Sequence, residues 1–161
     1  MNITQDEASR SRPQGKYFEE FTVGYTVETA PRTITETDVV LFAGLSGDYN
    51  QLHTDVEFAK GTMFGERIAH GLLGLSVASG LAFRLGFIEG TAQAFLGMEW
   101  KFRAPIKIGD TIHARIEVQH KKPVKRLGGG IVTFKVVLLN QRDETVQKGS
   151  WMVLIKSQPA E

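Results

Sequence analysis

The sequence predicts an α+β fold in which an antiparallel sheet covers one long, very apolar helix. Three observations predict it. Residues 71–88, GLLGLSVASGLAFRLGFI, are apolar and rich in small side chains. Beyond them the hydrophobic period changes from helical to alternating, through four successive strand candidates. The order along the chain is one strand, short helices, the apolar helix, and then a run of strands. That order differs from the regular strand–helix alternation of a doubly wound parallel sheet.

The elements follow in order. Residues 1–15 are polar, lack the apolar core of a secretory signal, and read as a flexible tail ahead of a single domain over 16–161. Residues 25–34 read as a strand. Thr35 and Asp38 have capping-box spacing: the hydroxyl can accept from a backbone N–H while the carboxylate reaches back. The helix they open carries Val39, Val40, Phe42 and Ala43 and is expected to end near Gly44. A turn-rich stretch, Ser46-Gly47-Asp48-Tyr49-Asn50, leads to His53 and a short amphipathic piece over 56–59. The apolar helix is placed at 70–84. Only thirteen residues, 71–83, run from Gly71 to the charge at Arg84, whereas a membrane span needs about twenty, so it reads as a buried helix. Strands follow at 95–102, 111–120, 131–140 and 145–156. In the second, Ile112, Ala114, Ile116 and Val118 share one face and polar residues the other, as in a half-buried antiparallel strand. Gly128-Gly129-Gly130 and Arg142-Asp143 supply hairpin-turn chemistry between the last three strands.

Composition bounds the chemistry. The 161 residues carry 19 Lys and Arg against 18 Asp and Glu, no Cys, and 42% hydrophobic residues. One domain of this length removes roughly 70% of the unfolded surface from water without cross-links. The missing cysteines exclude disulfides, a thiol nucleophile and a Cys-ligated zinc site. A net charge of +1 argues against nucleic-acid binding through a basic footprint. No metal-ligand spacing is evident: His53, Asp55 and Glu57 are weakly patterned, and His113 faces outward on its strand. Carboxylates, histidines, hydroxyls and backbone groups are left to do the work.

Asp48 and His53 concentrate that chemistry. On a helix their spacing leaves them about 140° apart, and on a strand it puts them on opposite faces. Convergence on one atom therefore needs a loop, for which Ser46, Gly47, Asp48 and Asn50 are suited. Held together, a carboxylate and an imidazole can pass a proton each way at neutral pH. The plainer alternative is an Asx-turn at Asp48 and a surface histidine at 53. A second feature is Ala69-His70-Gly71, where the apolar helix begins. A helix N-terminus offers unpaired N–H groups, and Gly71 lets backbone approach a ligand without a Cβ in the way. It is suited to serve as an oxyanion hole for a thioester carbonyl; equally, Gly71 can simply permit tight packing.

At these residues the sequence resembles a known family. Ser46-Gly47-Asp48-Tyr49-Asn50-Gln51-Leu52-His53, with Ala59 six positions on, resembles the signature of the MaoC-like, (R)-specific enoyl-CoA hydratases. Phe64-Gly65-Glu66-Arg67-Ile68-Ala69-His70-Gly71 and Phe102-Arg103-Ala104-Pro105-Ile106-Lys107-Ile108-Gly109-Asp110-Thr111 are similar to that family's next two landmarks. One departure is Gln51, where the family usually has Pro; both catalytic positions are filled.

The resemblance implies a single hot-dog fold, an antiparallel sheet wrapped around a long central helix, usually in a homodimer or larger assembly. It implies reversible hydration of a trans-2-enoyl-CoA by a catalytic pair, Asp48 and His53, with the Gly71 N–H as oxyanion donor. Asn50 would shape the loop and Ser79 would support the pair. Arg67 is the expected contact for the coenzyme A phosphates, ahead of the basic run over 120–126. Coenzyme A would be part of the substrate, with no separate cofactor, no metal, no nucleic-acid or membrane partner, and a cytoplasmic location. Two alternatives stand beside this reading. A hot-dog thioesterase typically carries an acidic residue on the central helix, but no Asp or Glu lies between Gly71 and Arg84. A non-catalytic acyl-CoA-binding module would not require Asp48 and His53 to be intact. One hot-dog unit leaves a sheet edge and an incomplete substrate channel, so at least a dimer is expected.

Overall fold

The structure, a computed structural model, describes residues 15–159; the N-terminal tail expected over 1–15 falls almost wholly outside them. From Gly15 the backbone is tied down, with Gly15 N–H and Lys16 N–H donating to Glu89 O and Phe87 O. A 3-10 turn at Phe18–Glu20 precedes β1 (Thr26–Glu28) and β2 (Arg32–Thr33). Helices α1 (Glu36–Ser46), α2 (Gln51–Thr54), α3 (Val56–Lys60) and α4 (Gly71–Phe83) follow. Strands β3 (Ala92–Phe102), β4 (Thr111–Val124), β5 (Gly129–Leu139) and β6 (Thr145–Lys156) complete the fold. The sheet order is β1-β4-β5-β6-β3, with β2 also on β4, and every pairing is antiparallel.

Alternation puts Ile112, Ala114, Ile116 and Val118 of β4 on the face that packs with Val132, Phe134, Val136 and Leu138 of β5 and Trp151, Val153 and Ile155 of β6. Against this face lies α4, through Leu73, Val77, Ala78, Leu81 and Ala82. Its small residues let it sit close: a Cβ on Gly74 would lie 2.6 Å from Ile106 Cδ1. Only one face of α4 is covered. Leu72, Ser79 and Phe83 on the other face are exposed, so the fully buried helix expected from its composition is half realised within one chain.

Other departures have identifiable causes. The expected strand over 25–34 is split into β1 and β2 around Pro31, which has no N–H for the ladder. The Thr35 cap forms as expected: its Oγ1 accepts from Asp38 N–H while Asp38 Oδ2 accepts from Thr35 N–H. Helix α1 runs past Gly44 to Ser46, because Gly47, at φ 75°, is the residue that takes the left-handed cap. Strand β4 continues through the basic run to Val124, and only Gly128 of the triple glycine turns with positive φ. Gly129 and Gly130 are already in β5, where Cβ atoms would strike Ile155 O and the Phe18 ring.

Candidate active site

The loop between α1 and α2 is built from its own short polar side chains. Ser46 Oγ accepts from Asp48 N–H, Asp48 Oδ1 accepts from Asn50 N–H at 3.2 Å, and Asn50 Oδ1 caps α2 by accepting from Leu52 N–H. The Asx-turn at Asp48 therefore exists. The surface histidine does not, because α2 carries His53 inward to 9% exposure. His53 Nδ1 lies 2.8 Å from Ile68 O. A carbonyl can only accept, so Nδ1 carries a proton and, in the neutral ring, Nε2 keeps its lone pair. Asp48 itself is exposed.

The segment that orients His53 runs directly into α4. Ala69 N–H donates to Ile106 O, and His70 is the N-cap of the helix, buried to 2% exposure. Its Nε2 donates to the main-chain O of Asp48 at 2.9 Å, and its ring stacks on His53 with centroids 3.8 Å apart and planes 30° apart. Gly71 opens the helix, where N–H groups lack intrahelical partners, and among the described residues its N–H makes no hydrogen bond. Its carbonyl is clamped by Gln147 Nε2 at 2.9 Å, and Gln147 Oε1 in turn accepts from Trp100 Nε1. A Cβ on Gly71 would lie 2.7 Å from Phe102 Cε1. Close packing and an open N–H thus coincide at this glycine.

His53 and Gly71 both line an apolar cleft of about 700 Å³ with Phe64, Leu72, Phe102 and Arg103 among its walls. Asp48 stands at its side: donor atoms of Asp48, His53 and His70 all lie within 4.8 Å of one another. These three could also approach a metal ion, although His53 Nδ1 and His70 Nε2 are each already bonded to a main-chain carbonyl. The grouping of one exposed carboxylate, one imidazole with a free Nε2 and one open backbone N–H suits proton transfer next to a polarised oxygen.

Two expected residues stand elsewhere. Arg67 forms a two-pronged pair with Glu36 at 2.8 and 2.6 Å and donates to His53 O at 3.3 Å. That bonding holds the Glu36 carboxyl below its usual range. Arg67 thus anchors the main chain of α2 and does not line the cleft; the cation that does is Arg103, exposed and without an ion pair among the described residues. Ser79 lies on the exposed side of α4, two turns or about 12 Å beyond Gly71. It borders a separate hollow with Leu75, Phe95 and Met98, so within one chain it is not brought to the Asp48–His53 pair. The sequence pattern does not single out His70 or Gln147 as site residues. Gln147 had a legible signal: it is a polar residue in phase with the buried Trp151, Val153 and Ile155 of its strand.

Comparison with known proteins agrees with this architecture. The profile of the MaoC like domain matches residues 19–138, and the chain belongs to that family. It is 39% identical over 120 residues to a protein named (R)-specific enoyl-CoA hydratase from Rhodospirillum rubrum, covering 74% of this chain and 78% of that one. It is 36% identical over 140 residues to the 3-hydroxybutyryl-CoA dehydratase of Methylorubrum extorquens, covering 86% and 83%. Among solved structures, one described as a monoamine oxidase regulatory protein from Archaeoglobus fulgius superimposes with a TM-score of 0.86 at 41% identity, covering 91% and 97%. A Mycobacterium tuberculosis protein with a double hot-dog fold matches at TM-score 0.78 and 18% identity, over 91% of this chain and 46% of that one. The fold is a hot-dog. Among the described residues no helix is long and apolar enough to cross a membrane.

Proposed function

We propose that this chain is an (R)-specific enoyl-CoA hydratase, adding water reversibly across the C2–C3 double bond of a trans-2-enoyl-CoA. The observation that carries the reading is His53: its Nδ1–H is given to Ile68 O, leaving Nε2 free in an apolar cleft beside Asp48 and the open Gly71 N–H. In the hydration direction, Asp48 and His53 hold one water and take a proton from it as its oxygen bonds to C3. The electron pair of the double bond moves toward the thioester, whose oxygen accepts from Gly71 N–H. A proton is then returned from the pair to C2, so one water is consumed and the protein ends in its starting protonation state. The relatives named hydratase and dehydratase support the class of reaction. We assign the carrier's phosphates to Arg103, since Arg67 is engaged with Glu36.

We also propose a homodimer. Among the described residues strand β3 pairs only with β6, which leaves its other edge open. Phe95, Leu96, Met98 and Phe102 are exposed along it, an apolar edge that a soluble chain ordinarily covers.

The test is purified protein with crotonyl-CoA, following loss of enoyl absorbance and the configuration of the alcohol. Wild-type protein forms the (R)-alcohol, and Asp48→Asn and His53→Ala each lower the rate by about 10²–10⁴-fold. Release of free thiol without enoyl loss identifies a thioesterase instead.

A further inference from the structure

We propose that His70 is a positioning residue that sets the Asp48–His53 geometry, and that residues 68–71 act as one template for the site. The inference rests on the hydratase reading above and deepens it. His70 is among the most buried side chains of the protein, yet only one of its ring nitrogens is satisfied: Nδ1 is buried without a partner among the described residues. Packing alone would be served better by an apolar ring in that place, because a buried nitrogen without a partner is a net cost. What the imidazole supplies is the bond from Nε2–H to Asp48 O and the stack on His53. Phe42, 5.0 Å from His70 between ring centroids, adds a further aromatic contact.

The neighbours of His70 in sequence complete the template. Ile68 O fixes the tautomer and tilt of His53, and Gly71 presents the open N–H. Four consecutive residues therefore orient the imidazole, the loop that carries the carboxylate, and the oxyanion donor. Ala69 N–H ties this segment to Ile106 O, on the connection between β3 and β4. The loop over 47–50 is otherwise held mainly by bonds among its own residues and those of the adjoining α1 and α2. His70 gives it a bond to the helix end from 22 positions away. Loss of that bond lets Asp48 drift relative to His53 while the substrate cleft keeps its walls.

The test uses the full chain with His70→Phe, which keeps an aromatic ring and removes the N–H, and His70→Gln, which keeps an N–H donor. Expected for His70→Phe is a kcat lowered by about 10–100-fold with KM within about threefold, since a displacement near 1 Å can cost about 10²-fold. His70→Gln retains a larger share of kcat. In an Asp48→Asn background, His70→Phe lowers the residual rate by less than about threefold, because the carboxylate it positions is already gone. Nitrogen-15 NMR of the histidine rings gives a readout independent of turnover: His70 carries its proton on Nε2 and His53 on Nδ1. A wild-type kcat in His70→Phe, a full-sized drop in the Asp48→Asn background, or a neutral His70 protonated on Nδ1 overturns the proposal. A wild-type protein that hydrates no enoyl thioester overturns the functional reading instead, and the ring spectra still report the His70 bond.

Discussion

At its first turn, helix α4 is surrounded by polar groups with assigned partners. His70 bonds Asp48 O, Gln147 bonds Gly71 O, and Ile68 O holds His53. Between about one and two turns on, the same helix presents Leu75, Ser76 and Ser79 to a hollow walled by Phe95, Met98 and Trp151, with no comparable polar network among the described residues. One helix thus serves two purposes. Its N-terminal end offers an N–H and needs neighbours that aim it, so buried polar atoms gather there despite their desolvation cost. Farther along it offers a mainly apolar surface, broken by Ser76 and Ser79, and its natural complement is another largely apolar surface.

Substitutions around the two ends of α4 should act differently, most strongly at the first turn. Gly71→Ala puts a methyl group 2.7 Å from the Phe102 ring and shifts the N–H that faces the cleft. Loss of one oxyanion donor commonly costs about 10²–10³-fold in kcat; a variant with near-normal kcat would remove Gly71 from the chemistry. At the other end, Met98→Glu on the open β3 edge should turn the proposed dimer into a monomer near the 17.8 kDa of one chain, read by light scattering. Wild-type protein that is already monomeric would contradict the assignment of that face.

Smaller effects separate the two arginines. Arg103→Ala should raise KM for crotonyl-CoA about fivefold, an exposed charge contact being worth about 1 kcal/mol, with a smaller rise for the N-acetylcysteamine thioester, which lacks phosphates. Glu36→Gln, by contrast, acts on stability. Arg67 holds the folded-state carboxyl of Glu36 below its usual value, so the unfolded chain binds that proton more readily. The pair's stabilisation is therefore complete above the unfolded carboxyl value of about 4.3 and fades as pH falls through the lower folded value. Melting temperatures of wild type and Glu36→Gln should differ at pH 7 and converge in acid; a constant gap would show that charge is not the cause.

Much of this architecture was legible because it depends on short-range pattern. The alternation over 111–118, the Thr35–Asp38 cap and the small-residue run of α4 each lie within a dozen residues, and each appears where expected. Some of the differences depend on partners far away. Gly129 and Gly130 look like turn residues until Ile155 and Phe18 are seen against them. Arg67 looks like a free cation until Glu36, 31 positions earlier, is found beside it. The motif pointed to residues 48, 53 and 71, but not to what holds them. His70 sat in plain view between Ala69 and Gly71, and its task depends on a loop that only the tertiary fold brings near.

In the proposed reaction Asp48 and His53 work together on one water in front of the Gly71 N–H. Its most direct test is the rate of enoyl absorbance loss from crotonyl-CoA in wild type, Asp48→Asn and His53→Ala. Expected are (R)-3-hydroxybutyryl-CoA from the wild type and a fall of at least about 100-fold in each variant. Undiminished hydration in both variants would contradict it.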